Sequence, residues 1–553
     1  MKNLFVLALA ACAALVSPAM AETHDTLTIG MVQFPPDMHP YITNTSIKDS
    51  ILLTVNRAMV GYAKDGSLVC MLCTEVPSLE NGDARIVKRD DGTDGMEVTY
   101  TLKPDLFWAD GVKVTASDVA FSFEVAKLFS PSKLIDKVEA IDPLHARFTL
   151  NRTQYDYARV ATAASTTTIL SEHIEGPIFR ASKGPLDYGE KSAFNRHPEE
   201  PGLWLGPYRV SEFRPNEQIV LVPNEHWAGH KPGFKRITMR LIENTSALYA
   251  NLLSGDVDTV ASGNLGITLD QVLTLAKTQA DRFDISFIPL VASYEHLTVN
   301  FDNKLLADKK VRQAISMAID RKTIVAKLFQ NRFEVALSLK YPTQFGWDPT
   351  VKTWPYDPKA ARALLAEAGF KPGPDGILLS PQGAKFSIDL VSTAGNRTRE
   401  LIEQVLQTQL KAVGIDVVIK NEPARVMFGD SLRHRSFTGL VLFQNDMPLD
   451  YVPQIYFSSA YIPTEANGFS GLNYMDYHSP EMDAAILAAQ SALDPAVRKV
   501  AWKRILDVYA DELPDIPLFF PANAIITPKW MTGMVSDTRY GQATAWVEEW
   551  RVK

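Results

Sequence analysis

The sequence predicts an α/β protein built from two or three domains. At 553 residues the chain is too long for a single core, and its 46% hydrophobic content argues against general disorder. Segments with the two-residue period of a strand alternate with segments that have the spacing of a helix. The clearest unit is a strand at 386–390, a helix at 398–412 and a strand at 414–419. This β-α-β order indicates a sheet that is at least partly parallel.

The N-terminal residues predict export from the cytoplasm. Residues 1–21 contain an apolar run and then small residues at Ala19 and Ala21, which is the pattern of a signal peptide cleaved before Glu22. The apolar run is shorter than the ~20 residues that a transmembrane helix needs. We therefore expect a soluble periplasmic protein. Lipoprotein anchoring at Cys12 is the alternative, although cleavage there would leave an apolar tail in place of a polar tether.

The charge and the cysteine content exclude several classes of function. A formal net charge of −8 without basic runs argues against nucleic-acid binding. Cys70 and Cys73 are the cysteines that remain after the signal peptide. A local disulfide is the simplest interpretation in an oxidising compartment, and two free thiols or a redox pair are the alternatives. Zinc usually needs four ligands, and no second Cys or His pair lies nearby. The sequence thus predicts no metal and no other cofactor.

The first elements of the chain are a strand, a helix and a hairpin. The strand is expected at 26–31, and the helix at 47–62 has its apolar residues near one face. Residues 98–102 alternate like a strand. Trp108–Gly111 is a predicted turn, because glycine readily takes a positive φ. A second extended strand is expected at 112–114.

A capped helix follows this hairpin. Thr115 and Asp118 have the spacing of a capping box, in which each residue bonds the other's backbone amide. Residues 171–201 are rich in Gly, Pro and charge and show little periodicity, so they predict an irregular surface excursion. Strands are expected after it at 206–210 and 219–222.

The middle of the chain continues the alternation of strands and helices. A strand at 235–242 precedes a helix at 247–253. Two apolar strands within 284–299 flank Ser293–His296, and a crossing between two parts of the fold explains them best. Residues 308–322 have the pattern of an amphipathic helix.

Residues that are typical of helix ends mark one of the last helices. Asp357 as N-cap, Pro358 at the first helical position and Gly369 as C-cap predict a helix between them. A strand is expected at 437–443. The closing elements are two helices and a strand, at 479–486, 497–513 and 515–521.

Several of these segments resemble one known family. VTYTLKPDLFWADGVKVTASDVAFSFE at 98–124 is similar to the signature region of the family-5 extracellular solute-binding proteins, and DKKVRQAISMAIDRK at 308–322 matches a second motif of that family. GPYRV at 206–210 and PNEHW at 223–227 match a third. The resemblance extends from about Thr26 to Trp530. It implies a two-lobed periplasmic-binding-protein fold of type II, in the large cluster with an extra subdomain, with mixed sheets and two hinge crossings.

The same resemblance implies a division of the chain into domains. Residues 1–21 are the signal peptide. The first lobe is expected at 22–290, with the extra subdomain at about 66–200. The second lobe is expected at 291–512, and 513–553 returns to the first lobe.

The function implied by the resemblance is that of a receptor for an ABC importer. Two lobes that hinge can close over a solute that touches both. Peptides are the first expectation, because they are the commonest solutes of the family, and oligosaccharides, nickel complexes and haem are the alternatives. The expected partners are the solute and a permease and ATPase complex in the inner membrane. No nucleic acid is expected, and the receptor is expected to be a monomer.

The resemblance implies an aspartate that holds the ammonium of a peptide. Asp446 is the candidate, because it follows the predicted strand at 437–443 in the family's register. Asp450 is a second candidate, because the residues after Asp446 depart from the family pattern. A solvated loop aspartate is the alternative for both. The neighbouring amide Asn445 suits a ligand such as a sugar equally well.

Other candidate ligand contacts are basic or aromatic. Arg397 and Arg399 match a position where dipeptide binders place the partner of the carboxylate, and a guanidinium suits that role. Surface arginines beside glutamates are the alternative. Tyr294 and His296 lie near the predicted crossing, where they line the cleft or pack in the core. Trp347, like Trp354 at the other end of the same Pro-containing loop, stacks on a ligand or anchors the loop.

A secreted hydrolase is the alternative from a different class of function. The sequence contains no G-x-S-x-G, no H-E-x-x-H and no G-x-x-x-x-G-K-[ST] motif. Peptide hydrolysis needs an activated nucleophile or a metal. The sequence therefore predicts a protein without enzymatic activity.

Overall fold

The structure is a computed structural model, and the residues that it describes are 24–42, 45–63, 67–129, 134–161, 168–447, 451–467, 469, 471–535 and 543–553. The predicted signal peptide, Cys12 and Asp450 lie outside these residues. None of the helices in the described ranges is long and apolar enough to span a membrane.

Strands occur along most of the described chain. They are β1 (Thr26–Met31), β2 (Val60–Tyr62), β3 (Leu68–Cys70), β4 (Ala84–Lys88), β5 (Asp94–Thr101), β6 (Ile135–Ala140), β7 (His145–Leu150), β8 (Tyr208–Arg214), β9 (Gln218–Pro223), β10 (Arg236–Leu241), β11 (Thr259–Val260), β12 (Phe283–Pro289), β13 (Ser293–Val299), β14 (Glu334–Val335), β15 (Lys371–Pro372), β16 (Leu378–Leu379), β17 (Ser387–Val391), β18 (Asp416–Ile419), β19 (Leu440–Asp446), β20 (Asp515–Phe520), β21 (Ala522–Pro528), β22 (Met531–Thr532) and β23 (Arg551–Val552).

Helices connect most of these strands. They are α1 (Ser46–Val55), α2 (Ala116–Phe129), α3 (Glu172–Ala181), α4 (Pro185–Lys191), α5 (Ala193–Arg196), α6 (Thr245–Ser254), α7 (Leu269–Thr278), α8 (Lys309–Ala318), α9 (Arg321–Phe329), α10 (Pro358–Glu367), α11 (Arg397–Ala412), α12 (Ala424–Val426), α13 (Gln454–Phe457), α14 (Pro480–Ser491) and α15 (Pro495–Glu512).

The first lobe is organised by a five-stranded sheet with the order β11-β1-β10-β9-β8. β1 runs parallel to β10 and β11, whereas β9 is antiparallel to both of its neighbours. Trp204, Tyr208 and Trp550 are fully buried in the core beside this sheet. A separate four-stranded antiparallel sheet, β4-β5-β7-β6, has its own core around Tyr100 and Trp108. This lobe therefore contains an additional packed unit.

The second lobe is organised by a six-stranded sheet with the order β14-β20-β13-β19-β17-β18. β17 is parallel to β18 and β19, and α11 connects β17 to β18. The predicted β-α-β unit is thus confirmed. Leu406, Phe457 and Trp502 are fully buried in the core of this lobe. Since each lobe has its own sheet and its own core, the fold is two-lobed and mixed α/β.

Two adjacent segments carry the chain between the lobes. One runs from β12 through Leu290 into β13, and the other runs from β20 through Pro521 into β21. The backbone N–H of Leu290 donates to the carbonyl of Pro521 at 2.8 Å, so the two segments touch at the crossing. β20 still pairs with β13 in the second sheet, and β21 pairs with β12. Pro521 therefore separates the strand that pairs in the second sheet from the strand that pairs with β12.

The predicted helix at 47–62 is shorter than expected. α1 ends at Val55, and Val60–Tyr62 forms β2, which pairs with β3. The carbonyl of Val55 accepts from the backbone N–H groups of Leu205, at 3.1 Å, and Gly206, at 2.7 Å. A distant segment therefore takes the place of the next helical turn. The spacing of apolar residues within 47–62 therefore could not indicate where the helix ends.

The expected irregular excursion at 171–201 is mostly helical. α3, α4 and α5 occupy it, and the buried carboxylate of Glu175 joins them. Its oxygens accept from Tyr188 Oη at 2.6 Å, from Ser192 Oγ at 3.1 Å and from the backbone N–H of Ala193 at 2.8 Å. The helices are too short for their periodicity to stand out from the Gly and Pro residues around them.

Three smaller expectations also need correction. Residues 112–114 contribute one isolated bridge, Lys113 to Phe107, and no strand. Ser293–His296 lies inside β13 and not between two strands, and the strand expected at 437–443 runs from Leu440 to Asp446. The expected local disulfide between Cys70 and Cys73 is confirmed.

Candidate functional site

A cavity of about 820 Å³ lies between the two lobes. The first lobe contributes α1, the residues that follow it and β2, and the second lobe contributes β13, β19 and the start of α11. The crossing segments form part of its wall. Side chains or backbone atoms that line it belong to Pro40, Ser46, Asp49, Leu52, Leu53, Asn56, Arg57, Ala58, Val60, Gly61, Tyr62, Met71, Thr168, Ser262, Gly263, Leu265, Leu290, Ser293, Glu295, Phe329, Phe333, Asn396, Thr398, Arg399, Ile402, Gln444, Asp446, Phe519, Pro521, Asn523, Ala545 and Trp546.

The wall in the second lobe is one face of the antiparallel pair β13 and β19. Ser293 lies opposite Asp446 in the register, and Glu295 lies opposite Gln444. Successive side chains of a strand point to opposite faces, and directly paired residues share a face. These four residues therefore present their side chains on the same side of the sheet, and all four line the cavity.

Asp446 is held in place at the end of β19. Its Oδ1 accepts from Ser293 Oγ at 2.5 Å and from Gln444 Nε2 at 2.8 Å. Tyr456 Oη donates to its backbone carbonyl at 2.7 Å. The residue is nevertheless exposed, and it lines the cavity. The structure thus presents an oriented carboxylate to any solute between the lobes.

Arg399 also lines the cavity, but its guanidinium is already paired. Its Nε donates to Glu295 Oε1 at 2.6 Å, and its Nη2 donates to Glu295 Oε2 at 3.4 Å. The two side chains are 17% and 7% exposed. Arg397 is 71% exposed, lies 3.5 Å from Glu400 and is not brought to the cavity. The two candidate arginines therefore have different environments, although they are two residues apart.

Tyr294, His296 and Asn445 lie on the opposite face of the same strands. Their side chains are buried in the second lobe and do not reach the cavity. Tyr294 Oη donates to Asp515 Oδ2 at 2.6 Å, and Asn445 Nδ2 lies 3.3 Å from His296 Nε2. The sequence had placed Tyr294 and His296 near the crossing, which is correct, but the alternation along β13 turns Glu295 toward the cavity instead.

Burial changes the pKa values of this buried cluster. It lowers the pKa of His296 to about 3, because the charged imidazolium loses its water. It raises the pKa of the Asp515 carboxyl to about 7, although the hydroxyls of Tyr294 and Tyr509 donate to that carboxyl and oppose the shift. His296 is therefore a neutral core residue.

Trp347 and Trp354 are half-buried and are not brought to the cavity. Trp354 Nε1 donates to the carbonyl of Ala510 at 2.7 Å, which anchors the loop to α15. The backbone N–H of Trp347 donates to the carbonyl of Gln344 at 3.1 Å. Of the expected ligand contacts, the structure thus brings Asp446 and Arg399 together at the cavity.

The wall in the first lobe contains charged residues that sequence reasoning missed. Asp49 of α1 lines the cavity, and so do Asn56 and Arg57. Arg57 forms an ion pair with Glu548, and the two side chains are 2% and 6% exposed. Burial lowers the pKa of the Arg57 guanidinium, and Glu548 opposes that shift. The partners are 491 residues apart, so no local pattern could have indicated this pair.

No metal centre is apparent in the described part of the chain. Its His, Cys, Asp and Glu side chains form no group of three or more that could hold a metal ion.

The comparisons with known proteins agree with this architecture. The model of the bacterial extracellular solute-binding proteins, family 5 (middle), matches residues 85–462. The chain belongs to this family of solute-binding proteins.

Individual relatives have different solutes in their names. The oligopeptide-binding protein AppA of Bacillus subtilis is 28% identical over 464 residues, which cover 81% of this chain and 80% of that protein. The structure of the oligopeptide-binding protein of Thermus thermophilus, complexed with a pentapeptide, is 28% identical, with a TM-score of 0.74 and 96% coverage of both chains. NikZ of Campylobacter jejuni, in complex with Ni(L-His), is 24% identical, with a TM-score of 0.73, 95% coverage of this chain and 99% of NikZ.

Proposed function

We propose that this protein is a periplasmic receptor that captures peptides between its lobes and delivers them to an ABC permease and ATPase complex in the inner membrane. The observation that carries the proposal is the oriented, exposed carboxylate of Asp446 in the wall of the cavity. A carboxylate in that position suits the ammonium group of a peptide, because a charge-assisted hydrogen bond is about twice as strong as a neutral one. The oligopeptide-binding relatives support the choice of solute.

Closure of the lobes is the proposed mode of capture. A solute that contacts both walls favours the closed form by its differential affinity for that form. The two touching crossings at Leu290 and Pro521 are short, and hinges are commonly a few residues between rigid elements. Closure also removes water from the cavity, which strengthens the polar contacts inside it.

The ammonium role of Asp446 is tested by Asp446→Ala. We expect the affinity for a free-amine peptide to fall about 30-fold or more, because closure would bury the pair of Asp446 and the ammonium, and truncating one partner of a buried charge pair typically costs at least ~2 kcal/mol. The affinity for the N-acetylated form of the same peptide should change little, since that form has no ammonium. Isothermal titration calorimetry measures both.

A matched control comes from the same lobe. Asp302→Ala removes a carboxylate that is 62% exposed and does not line the cavity, so it should leave both affinities unchanged. Equal losses for the free-amine and the acetylated peptide in Asp446→Ala would contradict the ammonium role.

A nickel chelate is the second candidate solute, because the NikZ structure holds Ni(L-His) and shares this fold. Melting curves measured with dipeptides, longer peptides, oligosaccharides, haem and nickel–histidine would separate the candidates. A bound solute raises the melting temperature according to its concentration relative to Kd. A shift with nickel–histidine and none with any peptide would overturn the proposed peptide function.

The proposal includes a location, a stoichiometry and the absence of chemistry. The protein is secreted through a cleaved signal peptide, acts as a monomer and releases its solute unchanged. Mass spectrometry of the purified periplasmic protein tests the cleavage before Glu22, and size-exclusion chromatography with light scattering tests the monomer. Product analysis after incubation with peptides tests the last point, and turnover of a peptide would overturn it.

A further inference from the structure

In the described part of the chain, the charges of the side chains that line the cavity do not sum to zero. Carboxylates come from Asp49, Glu295 and Asp446, and guanidinium groups come from Arg57 and Arg399. Asp49 belongs to the first lobe, whereas Glu295 and Asp446 belong to the second. What the cavity offers a solute therefore depends on how these five groups are paired.

Arg399 is neutralised within its own wall. Glu295 contacts it through both carboxylate oxygens, and Thr393 Oγ1 lies 3.3 Å from its Nη1. The pair is mostly buried, so removing Arg399 from Glu295 would leave two poorly hydrated charges. The carboxylate of a solute would have to displace Glu295 to gain this arginine.

Arg57, in the wall of the first lobe, is neutralised by Glu548, which does not line the cavity. Its Nη2 pairs with Glu548, and its Nη1 donates to the carbonyl of Asn56 at 2.9 Å. Its guanidinium also lies 5.5 Å from the ring centre of Trp227. A solute carboxylate therefore meets a guanidinium whose charge is already compensated.

The wall of the second lobe keeps a negative charge. Among the described residues that line it, Glu295 and Asp446 are anionic and Arg399 is cationic. Glu295 pairs with Arg399, and Asp446 accepts hydrogen bonds from the neutral side chains of Ser293 and Gln444. This wall thus has an excess of one negative charge, which favours a solute of positive charge.

We propose that Glu295 is a specificity-determining residue that neutralises Arg399 and thereby makes the cavity select cationic peptides over acidic ones. The proposal rests on the peptide-binding function proposed above. It also states that the carboxyl end of the peptide is not held by an ion pair with Arg399. Glu295 acts through Arg399 and through the charge of the cavity, and it is not required to contact the ammonium group.

The first test compares matched tripeptides on the mature wild-type protein by isothermal titration calorimetry. Ala-Lys-Ala should bind about tenfold more tightly than Ala-Glu-Ala, because opposite charges near a protein surface attract by more than ~1 kcal/mol at contact distances. Ala-Ala-Ala should lie between them. Amidation of the carboxyl end should not weaken binding of any of the three.

The second test repeats the measurements on Glu295→Gln, which should reduce the preference for Ala-Lys-Ala over Ala-Glu-Ala. This change keeps the size of the side chain and releases Arg399, so Ala-Glu-Ala should gain about tenfold in affinity. Amidation of its carboxyl end should now weaken binding. Glu400→Gln is the matched control, because it alters the exposed pair with Arg397 outside the cavity and should preserve the wild-type order.

A double variant guards against poor folding of Glu295→Gln. Glu295→Gln with Arg399→Gln removes both charges and leaves no buried charge without a partner, so the wild-type preference for Ala-Lys-Ala should persist. If Ala-Glu-Ala binds the wild type as tightly as Ala-Lys-Ala, or if Glu295→Gln folds and keeps the wild-type order, the inference is overturned while the peptide function stands. If none of these peptides nor longer ones bind, the proposed function itself fails.

Discussion

Single side chains at the cavity derive their properties from their immediate neighbours. Asp446 is oriented by Ser293 and Gln444, and Arg399 is neutralised by Glu295. The latter pair changes the expected role of the arginine, because a guanidinium with a bidentate carboxylate partner has few donors left for a ligand. Residue type alone therefore did not predict what Arg399 offers to a solute.

Another residue-scale effect concerns the buried histidine His39. It accepts from the backbone N–H of Tyr41 at Nδ1, at 3.1 Å, and its Nε2 lies 3.2 Å from Tyr188 Oη. Burial, followed by the nearby charge of Lys48, lowers its pKa to about 3. In the unfolded chain the ordinary value is 6.5. Between these two values the unfolded chain binds a proton that the folded protein does not.

This difference predicts a pH dependence of stability. As pH falls from 6.5 toward 3, His39 lowers the free energy of unfolding, because protons favour the unfolded chain. We expect His39→Gln to make the slope of the unfolding free energy against pH shallower by up to about 1.4 kcal/mol per pH unit in this window. Urea unfolding at several pH values measures the slope.

The matched control for this measurement is His230→Gln, because the His230 side chain is 74% exposed. It measures how far a His-to-Gln change at an exposed position alters the slope. The same slope in His39→Gln and in the wild type would show that His39 does not titrate differently in the two states.

At the scale of single elements, the sequence predicted the ends of a helix correctly where capping residues next to the helix terminate it. α10 begins at Pro358 as predicted, and the Asp357 carboxylate accepts from the backbone N–H groups of Lys359 and Ala360. Gly369 follows the helix with a φ of 89°, as expected for a C-cap glycine. These contacts lie within a few residues of each other, so the sequence contains all of the information.

Elements that end against a distant segment were predicted less well. α1 stops at Val55 because the backbone at Leu205 and Gly206 bonds to its last carbonyl. A Cβ atom on Gly206 would lie 2.4 Å from the carbonyl carbon of Val55. The close approach of the two backbones therefore requires glycine at this position.

Gly206→Ala should accordingly destabilise the first lobe. We expect the free energy of unfolding to fall by about 1–3 kcal/mol, because the added methyl group meets backbone that must move. Chemical denaturation followed by tryptophan fluorescence measures the loss. Gly429→Ala is the control, since a Cβ at Gly429 meets nothing within 4 Å, and an equal loss in both variants would contradict the packing argument.

At the scale of the whole molecule, the two lobes meet at two touching crossings, around a shared cavity and at Tyr155. Tyr155 of the first lobe is buried in the core of the second lobe, and its Oη accepts from the backbone N–H of Val452 at 3.0 Å. Relative movement of the lobes would therefore have to shift this contact, although it need not break either sheet. The crossing between β20 and β21 lies at Pro521. In the proposed function, the cavity between the lobes is where binding of a solute favours closure.

Closure predicts a change that is visible in solution. At a peptide concentration 100 times its Kd, the free energy of unfolding should rise by about 2.7 kcal/mol. Small-angle scattering of the same sample should give a smaller radius of gyration, because the lobes approach each other. Asp446→Ala at the same peptide concentration should show a smaller effect in both measurements. A higher melting temperature with an unchanged radius would mean that the protein binds without closing.

The sequence by itself determined the family, the α/β class and the order of most elements, and it placed Asp446 next to a strand, because capping, periodicity and family motifs are properties of neighbouring residues. Only the tertiary structure decided which face of β13 lines the cavity, how far α1 extends and which charges are neutralised. Glu295 and Arg399 are 104 residues apart, and Arg57 and Glu548 are 491 apart. Their pairing depends on the packing of the sheets and the docking of the C-terminal segment, so it is a property of the folded chain.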